Sequence, residues 1–139
     1  MTREEIKNVI PHREPMLLVD EIFVQEDGSV LAHFRIPEKP FYCDGHFPGR
    51  PIVPGVILCE IMAQSCSMLF PEVLQEHLGV YRGLDGVRFR GEVHPGDLCE
   101  IHCTLTKRKG SVFVCAASLS VEDKRCCEAK ITLAAVPKN

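Results

Sequence analysis

Apolar and polar residues alternate with period two over much of this chain, and one long stretch breaks the rule. Val30, Ala32, Phe34 and Ile36 alternate with Leu31, His33 and Arg35, which predicts a strand over Ser29 to Ile36 with one buried face. A preceding strand is predicted over Met16 to Gln25, and Asp27-Gly28 has the chemistry of a tight turn joining the two as a hairpin. Phe113, Cys115, Ala117, Leu119 and Val121 mark the core face of another strand, Ser111 to Val121. Further strands are predicted over Val80 to Val93, with a break near Gly83 to Gly86, over Leu98 to Lys107 and over Arg125 to Val136. Lys109-Gly110 and Asp123-Lys124 supply tight turns, so the second half reads as an antiparallel meander.

Helical signals frame these strands. Thr2 with Glu5 three residues later forms a capping-box pattern, predicting a short helix to about Ile10 that Pro11 stops. From Val56 to Phe70 the chain is apolar almost all round before Pro71, so this helix should be buried on most faces. A polar segment, Glu72 to Leu78, could add one or two turns that Gly79 would close. Between hairpin and helix, residues 37–54 hold five of the ten prolines, with Gly45 and Gly49, and so form a loop. Phe41, Tyr42 and Phe47 within it predict an ordered loop. One apolar helix and a meander predict an α+β architecture, a curved sheet around the helix, in a single domain over 1–139.

Composition narrows the classes. Sixteen Lys and Arg against nineteen Asp and Glu give net charge -3, without the basic excess of a nucleic-acid or anionic-membrane binder. The longest apolar stretch, Val53 to Phe70, is interrupted by Pro54, Glu60 and Gln64 and does not read as a membrane span. Met1-Thr2-Arg3-Glu4-Glu5 carries mixed charge with no apolar segment behind it, so no export signal is expected and a reducing cytoplasm is. The eight cysteines form no CxxC pair. Cys99 and Cys103 share a period-two face with Ile101 and Leu105, which reads as core, while His102 points the other way; no metal site is expected.

Glu60 is anomalous: it is the only charged residue between Arg50 and Glu72 and has no Lys or Arg within helical reach. Burying an unpaired carboxylate is costly, so this group should either be neutral or face a wet pocket. Val56, Glu60, Ala63 or Gln64, and Ser67 form a narrow stripe of small and polar residues on the oily helix. A purely structural alternative is a carboxyl bonded to Gln64 at a subunit contact. His46 lies in Cys43-Asp-Gly-His-Phe-Pro-Gly49, a loop stiff enough to hold an imidazole in one orientation, although a lone loop histidine is more often simply surface. The other histidines, His12 included, lack such a setting and read as structural. Pro51-Ile-Val-Pro-Gly-Val56 offers no side chain to cap the helix start, and open amides there could receive a carbonyl oxygen gaining negative charge. An acid or base on the helix, an imidazole on the loop before it and open amides between them suggest enolate chemistry beside a carbonyl.

The run Gly45-His-Phe-Pro-Gly-Arg-Pro-Ile-Val-Pro-Gly-Val-Ile-Leu-Cys-Glu-Ile-Met-Ala-Gln64 closely resembles the signature of bacterial 3-hydroxyacyl-acyl-carrier-protein dehydratases of the FabZ type. Ile10-Pro-His-Arg-Glu-Pro-Met-Leu-Leu-Val-Asp20 and Gly83-Leu-Asp-Gly-Val-Arg-Phe-Arg-Gly-Glu-Val-His-Pro-Gly-Asp97 resemble two further stretches of that family, so the likeness spans nearly the whole chain. It implies the hot-dog fold, a homodimer that in this family often assembles as a trimer of dimers, and sites taking a histidine from one subunit and a glutamate from the other. Carried over, these are His46 and Glu60. Glutamate rather than aspartate at position 60 favours the Z type over the isomerising A type. Glu14 stands where the family commonly has an aromatic residue.

The resemblance implies dehydration of a 3-hydroxyacyl thioester to the trans-2-enoyl thioester in type II fatty acid synthesis, without metal or organic cofactor. His46 would take the C2 proton, Glu60 would protonate or polarise the departing hydroxyl, and the Gly55 amide would bind the thioester oxygen. Val56, Phe47 and Gln64 join Gly55 as candidate substrate-binding residues. The substrate would arrive on the phosphopantetheine arm of an acidic acyl carrier protein, for which Arg82, Arg88 and Arg90 are the candidate docking residues. Competing activities for such a site are thioester hydrolysis and trans-2 to cis-3 isomerisation, and a non-catalytic acyl-binding subunit is a further alternative.

Overall fold

The computed structural model describes residues 1–138. Six strands form one antiparallel sheet: β1 (Glu21–Val24), β2 (Val30–Arg35), β3 (His77–Phe89), β4 (Leu98–Lys109), β5 (Val112–Val121) and β6 (Lys124–Pro137). Their order is β1-β2-β4-β5-β6-β3, so only β4-β5-β6 is a meander. β3 leaves sequence order and pairs with β6 at the far edge, while β2 pairs directly with β4. The helix α2 (Gly55–Ser67) packs on β2, β4, β5 and β6, giving the curved sheet around a helix. This is the expected α+β hot-dog arrangement.

Burial explains why the alternating strands form as predicted. Val30, Ala32, Phe34 and Ile36 are buried, as are Phe113, Cys115, Ala117 and Leu119. Phe113 stacks on Phe70 with centroids 4.0 Å apart, closing the core beyond the end of α2. The predicted face of β4 holds for Cys99, Ile101 and Cys103 but fails at Leu105, which is exposed, because the β4-β5 register shifts between Leu105 and Lys107.

Other boundaries move for local reasons. The first helix, α1 (Arg3–Ile6), keeps its Thr2-Glu5 capping box but is a single turn. Residues 16–20 are not strand: Leu17, Leu18 and Val19 are all buried, which a half-exposed strand cannot achieve, and Arg3 takes the Leu17 and Val19 carbonyls. Beyond Ser67 the helix tightens, with Met68, Leu69 and Phe70 donating to carbonyls three residues back before Pro71. Gly79 does not close a helix. Only Val73–Gln75 forms a 3₁₀ turn, and Gly79 lies in β3 opposite Ala135. The glycines at 83 and 86 do not break β3 but accompany register shifts, with Gly86 at φ 58°. The β5-β6 turn falls on Glu122 and Asp123, both at positive φ, one residue earlier than expected.

All eight cysteines are unpaired and buried. Among the described residues, no helix is long and apolar enough to cross a membrane and no group of three or more His, Cys, Asp or Glu is placed to hold a metal ion.

Candidate active site

The site begins with Gln64, which is buried yet has both ends of its amide engaged. Its Oε1 accepts from the Leu18 amide at 2.8 Å, and its Nε2 donates to the Met16 carbonyl and to Glu60 Oε2, each at 2.9 Å. One side chain therefore staples the 10–20 segment to α2 and fixes the carboxylate one turn earlier. The predicted stripe holds from Glu60 onward: Glu60, Ala63, Gln64 and Ser67 line one cavity of about 280 Å³, with His12, Gly79, Val80, Tyr81 and Leu133 completing its wall, while Val56 lies outside it. Of the two expectations for Glu60, the structure shows the second, a carboxyl group facing a pocket. Its bond to Gln64 is common to the structural and functional readings.

Two residues at this cavity were not foreseen as part of it. His12 Nε2 lies 3.6 Å from Glu60 Oε2, so His12 is not merely structural background. Burial, against the pull of Glu60 and assisted by Arg13, pushes its imidazole below the ordinary value, favouring the neutral ring. Tyr81 donates its hydroxyl to the Cys59 carbonyl at 3.2 Å, and burial followed by the Glu60 charge pushes its phenol upward, so it keeps its proton. The signal for His12 was its place in the Ile10 to Asp20 segment; Tyr81 had none, because its position depends on β3 reaching the sheet edge.

His46 is held as the stiff loop suggests. Its Nδ1 lies 3.0 Å from the Ile52 carbonyl, which can only accept, so Nδ1 carries the hydrogen and a neutral ring has its lone pair on Nε2. The Phe47 ring stacks on it at 4.2 Å between centroids. Backbone bonds from Ile52 to His46 and from Val53 to Val93 order this loop. His46 and Phe47 are not in the wall of the Glu60 cavity, so one chain does not bring the two candidate proton carriers into one pocket.

At the start of α2 no side chain caps the helix, and the Pro54 carbonyl accepts from Ile57 and Leu58. The helix itself has no acceptor for the Gly55 and Val56 amides. A Cβ on Gly55 would stand 2.8 Å from the Phe89 ring, so glycine permits this close approach. Val56 is 75% exposed on the isolated chain. Exposed apolar residues continue along β3, the unpaired far edge of the sheet, at Val80, Tyr81, Leu84 and Phe89.

The basic candidates differ from one another. Arg90 Nε is 2.7 Å from Glu128 Oε1, with Arg125 also at 3.5 Å, so Glu128 largely satisfies Arg90. Arg82 and Arg88 are exposed, with no ion-pair partner among the described residues. Glu14, in place of an aromatic residue, pairs with Arg3 at 3.1 Å and Lys7 at 3.2 Å.

Residues 10–130 match the model of the FabA-like domain. The chain is 36% identical to the 3-hydroxyacyl-[acyl-carrier-protein] dehydratase FabZ of Clostridium beijerinckii over 94% of its own length and 95% of the relative's. It is 38% identical to the FabZ of Anaeromyxobacter sp. over 81% and 76%. Among solved structures, the dehydratase heterocomplex ApeI:P from Xenorhabdus doucetiae shares the fold with a TM-score of 0.81 at 16% identity, over 96% of this chain and 91% of that one. A hypothetical thioesterase with coenzyme A from Streptococcus pneumoniae shares it at 0.63 and 15% identity, over 84% and 85%.

Proposed function

Because the chain belongs to the FabA-like family, we propose that it dehydrates 3-hydroxyacyl-acyl-carrier-protein to the trans-2-enoyl thioester in type II fatty acid biosynthesis. The observation that carries the reading is the placement of Glu60: a carboxylate held by Gln64 at the wall of a cavity on an otherwise oily helix.

The reaction moves one proton and one hydroxyl. His46 Nε2, left basic by the Nδ1 bond to Ile52, takes the proton at C2 of the substrate. The negative charge that spreads onto the thioester oxygen is met by the Gly55 amide at the positive end of α2. The proton taken by His46 passes to the Glu60 carboxylate, which hands it to the 3-hydroxyl, so the hydroxyl leaves as water while the C2-C3 double bond forms. Both groups thereby return to their starting forms, so no cofactor or metal is needed.

The pocket of one chain lacks His46, and a second copy supplies it in this reading. The edge of β3, with Val80, Tyr81, Leu84 and Phe89 exposed beside Val56, is the surface through which two copies pair. Phe47 and Val56 would then line the acyl channel, and such dimers would assemble further as trimers. The carrier protein docks through Arg82 and Arg88, with Arg90 secondary because of Glu128. A reducing cytoplasm is the working compartment in this reading, and there the eight cysteines would stay as thiols.

The test is incubation with a 3-hydroxyacyl thioester and mass identification of the product. Loss of one water to give the conjugated enoyl thioester is expected. Release of a free thiol instead would make the protein a thioesterase, and a cis-3 product would make it an isomerase.

A further inference from the structure

His12 stands 43 residues or more from every part of α2 in sequence, yet its ring and the Gln64 amide converge on the same oxygen. Gln64 Nε2 donates to Glu60 Oε2 at 2.9 Å and His12 Nε2 lies 3.6 Å from that atom, while the Tyr81 hydroxyl, bonded to the Cys59 carbonyl, also neighbours the carboxyl group. We propose that His12 is a positioning residue for Glu60: together with Gln64 it holds Oε2, leaving Oε1 as the oxygen that exchanges a proton with substrate. This deepens the dehydratase reading and rests on it.

Three observations support the assignment. First, the other ring nitrogen, Nδ1, is buried with no hydrogen-bond partner among the described residues. Buried polar atoms are rarely left so, and a histidine present only for packing would be expected to satisfy both nitrogens. The ring's place is set by what Nε2 faces. Second, the orphaned Nδ1 fixes the form of the ring. A cation would bury a second N–H with no acceptor, so the neutral ring with hydrogen on Nε2 is favoured, which points a donor at the carboxylate.

Third, the segment carrying His12 is itself clamped. Arg13 Nη1 donates to the Ile10 carbonyl at 3.0 Å and to the His12 carbonyl at 2.7 Å, and its Nη2 donates to the Lys7 carbonyl. Gln64 ties down Met16 and Leu18 farther along the same segment. The imidazole is thus delivered by a braced loop. At 3.6 Å the contact acts through charge and dipole, and a shift of a few tenths of an ångström makes it a hydrogen bond.

The groups that act on His12 electrically are Glu60 from α2, Tyr81 from β3 and Arg13 in its own segment. Tyr81 stays neutral, so the carboxylate is the one attractive charge.

Two measurements decide the proposal. His12→Ala should lower kcat roughly 10-fold, the weight of one hydrogen bond to a charged group, with KM changed less than about 2-fold. His12→Gln, whose amide nitrogen reaches the place of Nε2, should recover most of that loss. Wild-type kcat in His12→Ala, or equal loss in both variants, would overturn the donor role. Independently of turnover, the His12 imidazole is titrated by NMR in the wild type and in Glu60→Gln. Its midpoint should fall when the carboxylate charge is removed, and an unmoved midpoint would refute the coupling. A wild-type protein that failed to dehydrate any 3-hydroxyacyl thioester would remove the dehydratase reading, while the NMR result would still decide whether His12 serves Glu60.

Discussion

Gln64 Nε2 lies 2.9 Å from Glu60 Oε2, one helical turn earlier, and also donates to the Met16 carbonyl 48 residues away in sequence. A single amide therefore orients the carboxylate and holds the segment that brings His12 against it. Replacing Gln64 by Leu should leave the buried Leu18 amide and the Met16 carbonyl unpartnered, at a cost of roughly 1–3 kcal/mol for each. Urea unfolding should show the loss, and turnover should fall with it because Glu60 loses its anchor. Unchanged stability would mean that other groups hold the 10–20 segment.

His46→Ala and Glu60→Gln should each lower dehydration by ~10²- to 10⁴-fold while the circular dichroism stays native. If the site is shared between copies, mixing the two variants under subunit exchange should restore part of the activity. A confirmed mixed dimer that stays inactive would place both groups in one chain or refute the mechanism.

Gly55→Ala would set a methyl group 2.8 Å from the Phe89 ring, and either the ring or the start of α2 must shift. Turnover should drop if the Gly55 amide receives the thioester oxygen. Adding Phe89→Ala should relieve the clash and recover part of kcat. A double variant no better than Gly55→Ala would remove steric displacement as the cause.

For carrier docking, Arg82→Glu and Arg88→Glu should weaken turnover of carrier-bound substrate more than Arg90→Glu does, since Glu128 already holds Arg90 at 2.7 Å. The effect should be larger at low salt and absent with a pantetheine thioester. Equal loss on both substrates would place the damage in the site or the fold.

The Glu14 carboxyl is lowered from 4.5 to about 2 by its own amide and by Lys7 and Arg3. Because the folded value is depressed, the stabilisation is complete above 4.5 and is lost as pH falls toward about 2. Glu14→Gln should therefore have a lower Tm than wild type at neutral pH, with the gap narrowing as the solution is acidified below 4.5. A gap independent of pH would show that the charge is not what matters at this position.

Taken by itself, the sequence determined whatever depends on a local period or a single anomalous residue. The alternations of β2 and β5 chose their buried faces, the oily run before Pro71 made α2 a buried helix, and Glu60 stood out because no charge of opposite sign lay within helical reach. The resemblance of residues 45–64 then named the family. What the tertiary structure alone decided are relations between distant segments. Residues 16–20 form no strand because Gln64 and Arg3 satisfy their backbone and let three consecutive side chains be buried. β3 sits at the far edge because β6 accepts its ladder, which brings Tyr81 to the cavity. His12 becomes a neighbour of Glu60 for the same kind of reason. Periodicity tells which face of an element is buried but not which element will cover it, and the partners of a buried polar group are chosen by that covering.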